Sequence, residues 1–303
     1  MNCNIIQNDK RFLNIENDII IVNMPTVYTH WHFGDECIET MPDNLKEVIN
    51  ENRDIYNIGV HGPDFMFYYL FNNDVRKYGS DLHKKPAKEF FMAAAETYRQ
   101  NKDKEAMLAY LMGFLTHFTL DSVTHSYIER KKEVSTASHY KIESEYDKYM
   151  IEKDGRKENV VDRSENLRPN YAICKVMSRF YPYKPATVYL SCVMHRLLTS
   201  AMNCISDRKF FLLRDLLVKI GQPMMADLMM DKNDFPPCHD SNIRLDKLKD
   251  KALKLYPRLM LNYLNYINGD GKLSKYFDHV FDKWPDYKNI PVLSYEDELK
   301  YKV

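Results

Sequence analysis

Hydrophobic positions along this chain recur mainly every three or four residues, which is the spacing of one face of an α-helix. Strand-like alternation of apolar and polar residues is rare, and glycine is sparse, with 9 in 303 residues. The pattern predicts a short helix with Asp43 as its N-cap, an apolar segment at 65–71 that follows Pro63, and a loop at 72–85. The longer predicted helices span residues 86–99, 104–128, 139–152, 170–180, 185–204, 209–220, 243–268 and 272–281. Together these elements predict an all-α protein built as a multi-helix bundle.

One predicted helix carries three ligand-type side chains on a single face. His117, Asp121 and His125 are spaced at i, i+4 and i+8, and neighbours at that spacing lie roughly 6 Å apart at their Cβ atoms. His139 and Glu143 repeat the i, i+4 spacing on the next predicted helix. Imidazole nitrogens and carboxylate oxygens are ligands that zinc accepts. The pattern therefore predicts metal binding by these five residues.

The distance between these residues along the helix axis indicates more than one metal site. His117 and His125 are two turns apart, about 12 Å along the helix axis, so both cannot bind one ion. Asp121 lies between them among apolar neighbours, where a buried carboxylate is costly without a partner. Its two oxygens make it the natural bridge between two metals. We expect His125 to join His139 and Glu143.

These motifs and the charge pattern suggest three parts to the chain. Residues 1–23 are predicted to form an N-terminal extension, and residues 24–154 a metal-binding helical core. A charged link precedes the remaining helical part, residues 155–303, which we expect to pack on the core as one domain.

Composition limits which binding partners and which cellular compartment we expect for this protein. Hydrophobic residues make up 45% of the chain, which is enough for a core. The formal net charge is zero, so charge does not favour a nucleic-acid partner. Metals can nevertheless hold a nucleic-acid substrate without a positively charged surface. The first residues lack the apolar stretch of a secretory signal, and no run approaches the roughly 18 apolar residues of a transmembrane span. Six cysteines without paired spacing predict reduced thiols in a cytoplasmic protein, although a secreted chain already trimmed of its signal would begin similarly.

A resemblance follows from the His-x3-Asp-x3-His and His-x3-Glu motifs together with two upstream elements, Gly62-Pro63-Asp64 and Leu82-His83. Over residues 26–150 the chain resembles the zinc-dependent phospholipase C family. That family's trinuclear zinc architecture is shared by fungal single-strand-specific nucleases. The resemblance implies a helical zinc-dependent phospholipase C fold with further C-terminal helices.

The resemblance also implies how the ligands are divided among zinc ions. One zinc would bind Asp64, His83, His117 and Asp121, and a second would bind His125, His139 and Glu143. A third would bind His30 and the shared Asp121. In the secreted enzymes the third zinc also uses the mature N-terminal residue, whereas 29 residues precede His30 here, so His32 is an alternative ligand. We therefore expect two zinc ions, or three if this last site is complete.

Other polar and aromatic residues near these motifs are assigned simpler roles. Glu145 and Asp147 are predicted to lie on a solvated helix face, and His61 to be a structural turn residue. His195 has no partner in any motif and is assigned no role. The aromatic residues that follow Asp64 are predicted to belong to the core.

The implied activity is phosphodiester hydrolysis of the phospholipase C type. A metal-bound hydroxide is expected to attack phosphorus, with Asp64 orienting or deprotonating the water and Asp121 bridging the metals as the second catalytic residue. The expected substrate is a phosphodiester such as a phospholipid. Two alternatives stay open: a nuclease or other phosphoesterase on the same scaffold, and a non-catalytic helical protein that binds zinc.

Overall fold

A computed structural model describes residues 27–157, 161–202, 207–219 and 226–303, so the predicted extension at 1–23 lies outside the described residues. Helices and turns account for the described structure, and no strand occurs in these ranges, which confirms the all-α prediction. The helices are α1 (Val27–Glu39), α2 (Asp43–Glu51), α3 (Arg53–Gly59), α4 (Asn73–Lys84), α5 (Ala87–Gln100), α6 (Lys104–Val134), α7 (His139–Lys153), α8 (Tyr171–Met177), α9 (Pro185–Ala201), α10 (Asp207–Lys219), α11 (His239–Asn268) and α12 (Tyr295–Lys300). Short 3₁₀ turns span Asp64–Tyr68, Ser178–Phe180, Pro236–Cys238, Lys275–Asp278 and Tyr287–Asn289.

Helix α6 forms the centre of the bundle. It packs against α1, α3, α7 and α11, and nearly every residue from Met107 to Glu129 is buried. Among the described helices it alone is long and apolar enough to cross a membrane, but 83% of its apolar window is buried inside the protein, as expected for a core helix. The predicted metal-ligand stripe therefore lies on a helix that other described helices enclose.

Helices α3 and α6 approach each other at a pair of glycines. A Cβ atom on Gly113 would lie 2.4 Å from the carbonyl oxygen of Tyr56, and one on Gly59 would lie 2.6 Å from that of Tyr110. Both obstacles are backbone atoms, which cannot move away as a flexible side chain can. Because glycine has no side chain, the backbones of α3 and α6 can pack in direct contact at this pair of residues.

The main hydrophobic core spans the sequence from α1 to the C-terminal segment. Phe33 of α1, Phe114 of α6, Tyr256 of α11 and Phe281 are all buried in it. Residues 155–303 thus share a core with the helices that carry the ligand motifs, and the division of the chain into domains stays a prediction.

Three local predictions were wrong. Residues 72–85 form a helix, α4, and residues 272–281 form only the short 3₁₀ turn Lys275–Asp278 within irregular chain. Asp43 is the first residue of α2 and caps nothing, because Pro42 occupies the N-cap position. Phe277 and Phe281 are buried in the core, and this anchoring replaces the helix that their spacing suggested.

Asp147 is buried and fastens the start of α1 to α7, so the prediction of a solvated face was wrong. Its carboxylate accepts hydrogen bonds from the backbone N–H groups of Tyr28 at 3.1 Å and Thr29 at 2.8 Å. The Thr29 hydroxyl also donates to it at 2.8 Å. Glu145 is buried as well, paired with Lys141 at 2.6 Å. A carboxylate at a helix start satisfies backbone donors that would otherwise lack partners, and here it fixes the helix that carries His30.

Candidate metal centre

Five elements bring all eight predicted ligands into one buried cluster. Helix α1 supplies one, the turn Asp64–Tyr68 one, α4 one, α6 three and α7 two. None is more than 6% exposed. The eight are His30, Asp64, His83, His117, Asp121, His125, His139 and Glu143.

Asp121 lies at the centre of the cluster. One carboxylate oxygen lies 3.0 Å from Nε2 of His117. The other lies 3.2 Å from Nε2 of His30 and 3.6 Å from Nε2 of His125. The two oxygens therefore face different imidazoles, which is the arrangement that a bridging carboxylate requires.

Asp64 forms the second acidic point of the cluster, together with two histidines. Its oxygens lie 3.0 Å from Nε2 of His83 and 3.6 Å from Nδ1 of His117. The other nitrogen of the His83 ring, Nδ1, donates to the carbonyl oxygen of Gly79 at 2.8 Å, one helical turn earlier. Because a carbonyl only accepts, Nδ1 carries the hydrogen of this bond, and in the neutral ring, the form that zinc binds, the lone pair is left on Nε2, which faces Asp64.

The turn before Asp64 depends on a glycine beside His117. Gly62 has a positive φ of 53°, which L side chains rarely adopt. A Cβ atom there would lie 2.1 Å from Cδ2 of the His117 ring. Glycine thus allows the chain to turn tightly against the imidazole and places Asp64 on its other side.

The remaining three ligands form a separate triad between α6 and α7. Nε2 of His139 lies 3.1 Å from a carboxylate oxygen of Glu143, and Nε2 of His125 lies 3.5 Å from the same oxygen. The Nδ1 atom of His139 makes a 2.7 Å hydrogen bond to Glu129. The grouping matches the second ligand set that the resemblance implies.

The donor set fits a bound cation. None of the four carboxylate oxygens of Asp64 and Asp121 makes a well-directed hydrogen bond to a described residue, although all four are buried. Buried carboxylates without donors are costly, and a divalent cation compensates them. Three groups have their ligand atoms within 4.8 Å of one another: His30, Asp64 and His117; His83, His117 and Asp121; and His125, His139 and Glu143.

Electrostatics within the metal-free cluster favour protonated imidazoles at His125 and His139 beside ionised acids, whereas burial lowers the pKa of His117. Burial lowers the pKa of His125, but the charges of Asp121 and Glu143 outweigh it and raise that pKa to about 10. Burial also lowers the pKa of His139, but Glu143 and Glu129 outweigh this effect and raise that pKa to about 9. Burial raises the pKa of Asp121, but the surrounding imidazoles dominate and hold it well below its usual value.

These pKa shifts predict that zinc binding releases protons. His125 and His139 carry protons at pH 7.5 in the zinc-free protein, whereas zinc binds neutral imidazole, so the triad should release about two protons per chain. Zinc affinity should accordingly rise with pH up to about 10, above which both imidazoles are neutral without zinc. Calorimetric titration in two buffers with different ionisation enthalpies counts the protons directly. A count of zero at pH 7.5 would show that these imidazoles are already neutral without zinc.

Two other histidines discussed from the sequence, His32 and His61, lie outside the cluster of eight candidate ligands. His32 pairs with Asp154 at 3.1 Å and is about a quarter exposed, so it does not complete the His30 site. His61 is buried and receives a hydrogen bond from the Asn166 side chain at 3.2 Å, in keeping with a structural residue. Its ring meets that of His195 edge to face, with centroids 5.2 Å apart.

Sequence reasoning missed residues that surround the ligands. Glu129 contacts His139, and a signal for it existed, because it continues the four-residue spacing of His117, Asp121 and His125 along α6. The ring of Phe281 packs against that of His117 with centroids 5.9 Å apart. No sequence signal pointed to this contact, which closes the cluster from the C-terminal segment.

Comparison with known proteins gives one finding. A family model described as zinc dependent phospholipase C matches residues 29–190, just over half of the 303-residue chain. All eight clustered side chains lie within the matched residues. No curated protein and no solved structure matched the chain.

Proposed function

Because the chain belongs to the zinc-dependent phospholipase C family, a family of hydrolases, we propose that it cleaves phosphodiester bonds of phospholipids with zinc ions held by its eight clustered side chains. The observation that carries the proposal is the set of buried Asp64 and Asp121 oxygens, which make no well-directed hydrogen bond to a described residue and face four imidazoles. A structural polar network would satisfy such oxygens with donors.

We assign the ligands to two well-defined sites and a third, smaller one. His125, His139 and Glu143 hold one zinc, since their ligand atoms form a compact group of their own. Asp64, His83, His117 and Asp121 hold a second. His30 and the nearby oxygen of Asp121, 3.2 Å apart, offer the third position.

The chain's residues have distinct tasks in the proposed reaction. Bound zinc ions neutralise phosphate charge, lower the pKa of water and stabilise the leaving oxygen. Asp64 accepts a hydrogen bond from the attacking water and takes its proton as the new P–O bond forms. The P–O bond to the departing alcohol breaks, and that oxygen takes up the proton that Asp64 removed from the water, which restores the carboxylate. Asp121 would keep the second and third zinc sites at a fixed separation, because both would include its carboxylate.

We expect the zinc-loaded protein to release a phosphorylated headgroup from phosphatidylcholine vesicles, and a chelator to abolish that release. The expected product is phosphocholine, quantified by phosphorus NMR alongside the zinc content of the same preparation. Zinc restored after chelation should restore the rate, which controls for irreversible loss of the fold.

The rival functions give different results in the same experiment. Shortening of a single-stranded oligonucleotide without headgroup release would identify a nuclease on this scaffold. Full zinc content without turnover of vesicles, oligonucleotide or a nitrophenyl phosphodiester would identify a non-catalytic zinc-binding protein. Either outcome would overturn the proposed phospholipid substrate.

A further inference from the structure

We propose that Glu129 is a positioning residue of the second zinc site, where its carboxylate holds His139 in one tautomer and so selects Nε2 as the zinc-binding nitrogen. The inference rests on the proposed function only in that zinc binds the triad of His125, His139 and Glu143. Glu129 itself touches none of the reacting atoms.

The contact between the two side chains determines the direction of the hydrogen bond. Nδ1 of His139 lies 2.7 Å from Oε1 of Glu129. An ionised carboxylate only accepts, so the ring must donate through Nδ1–H. A neutral imidazole has one N–H, so the lone pair is left on Nε2, which lies 3.1 Å from Glu143 inside the triad. A carboxylate behind a zinc-binding histidine fixes the ring orientation and raises its basicity.

Glu129 is itself held in place by two lysines. Both of its oxygens accept from Lys132 at 3.0 Å, one helical turn later on α6. Lys283 donates to one of them at 3.0 Å. Glu129 is 7% exposed, so its charge is shielded from water and acts chiefly on these three partners.

The charged acceptor distinguishes His139 from the other histidines of the cluster. His83 donates to a neutral backbone carbonyl, that of Gly79. The Nδ1 atoms of His30 and His125 have no hydrogen-bond partner among the described residues. Removal of the Glu129 charge should therefore weaken one zinc site and leave the others unchanged.

Lys283 extends this arrangement beyond the residues that match the family. It lies outside 29–190, in the C-terminal segment whose Phe281 covers His117. The backbone N–H of the next residue, Trp284, donates to the Ser126 hydroxyl at 2.9 Å, which holds the segment against α6. The C-terminal part thus supplies a charge that steadies a ligand-supporting carboxylate.

The test is a zinc-affinity measurement on the full chain, by competition with a fluorescent chelator. We expect Glu129→Gln to weaken one zinc ion per chain by roughly 10- to 100-fold, and Glu129→Ala to weaken it at least as much, with the other zinc ions unaffected. Glu133→Gln is the matched control, because Glu133 lies one turn later on α6 and accepts from the Tyr287 hydroxyl but contacts no histidine. It should bind zinc like the wild type. Equal affinities for Glu129→Gln and wild type would overturn the inference.

A second measurement uses only the wild type, so its result does not depend on whether a variant folds. Long-range nitrogen–proton NMR of the zinc-loaded wild type should show His139 protonated at Nδ1. Protonation at Nε2, or a wild type that binds no zinc at the triad, would overturn the inference. Phospholipid turnover is not used as a readout, so an inactive protein with the expected zinc affinities would refute the proposed function and leave this inference standing.

Discussion

Replacing Asp121 with asparagine should lower phosphodiester turnover by about 10³-fold and remove more than one zinc ion from each chain. The rate estimate corresponds to several kcal/mol of lost transition-state stabilisation. The carboxylate faces His117 with one oxygen and His30 and His125 with the other, so it serves more than one metal position. The asparagine amide keeps the shape but offers one oxygen and no charge. Zinc per chain by atomic emission, with rates on phosphatidylcholine, gives both values.

A buried carboxylate elsewhere separates this effect from general destabilisation. Glu298 is fully buried and makes a bidentate pair with Arg244 at 2.7 and 2.8 Å, away from the eight ligands. Glu298→Gln should lower stability yet keep the full zinc content. Loss of only one zinc from Asp121→Asn would contradict a bridging role and confine that residue to a single site.

Gly113→Ala should lower the free energy of unfolding by about 3 kcal/mol, the upper range for overpacking a core. The new methyl group would meet the Tyr56 carbonyl oxygen at 2.4 Å and backbone atoms of Gly59 and Val60 at 3.0 Å. Helix α6 would have to move away from α3, and His117 lies one turn further along the helix that moves. Denaturant unfolding at a fixed zinc concentration measures the change.

The matched control for this substitution is Gly271→Ala. A Cβ atom on Gly271 meets nothing within 4 Å, and its φ is not positive, so stability should stay within about 0.5 kcal/mol of the wild type. If Gly113→Ala were as stable as the control, α3 and α6 could move apart at this contact without loss of stability. The glycine pair would then have no part in holding them together.

Much of the architecture follows from local pattern. The long helices α5, α6 and α7 were predicted because their apolar residues recur at helical spacing over many turns. The family and the all-α class, both expected from the sequence, are confirmed. The stripe on α6 also predicted a metal cluster, since the ligand spacing is local to one helix. Whether the eight side chains bind zinc stays a prediction.

Helix α4 was missed because its most deeply buried positions are mostly not apolar. Val75, Gly79 and His83 are buried at four-residue spacing, but only the first is hydrophobic, whereas Tyr78 and Leu82 pack against the core only partly buried. Gly79 is small because the turn Asp64–Tyr68 packs against it, and His83 faces inward to meet Asp64. A helix whose buried face serves a polar site therefore has a weaker hydrophobic pattern in the sequence.

Buried polar residues with distant partners could not be predicted either. Asp147 looked solvated because its neighbours in sequence are polar, whereas its hydrogen-bond donors, Tyr28 and Thr29, lie 119 and 118 residues earlier in the chain. Periodicity describes which face of a helix is apolar, but not which distant helix end needs a cap. Such pairings become visible only once the topology is known.

The same cap has a consequence for the order in which the protein can assemble during its synthesis. Of the described helices, α1 leaves the ribosome first, but the carboxylate that closes its start is added 119 residues after Tyr28. At roughly 5–20 residues per second, α1 waits on the order of ten seconds for Asp147. During that interval His30 lacks its helix cap, and the residues of α6 and α7 that would share the cluster are added only in its later part. Capture of metal by the growing chain can thus be completed only after α7 has been translated.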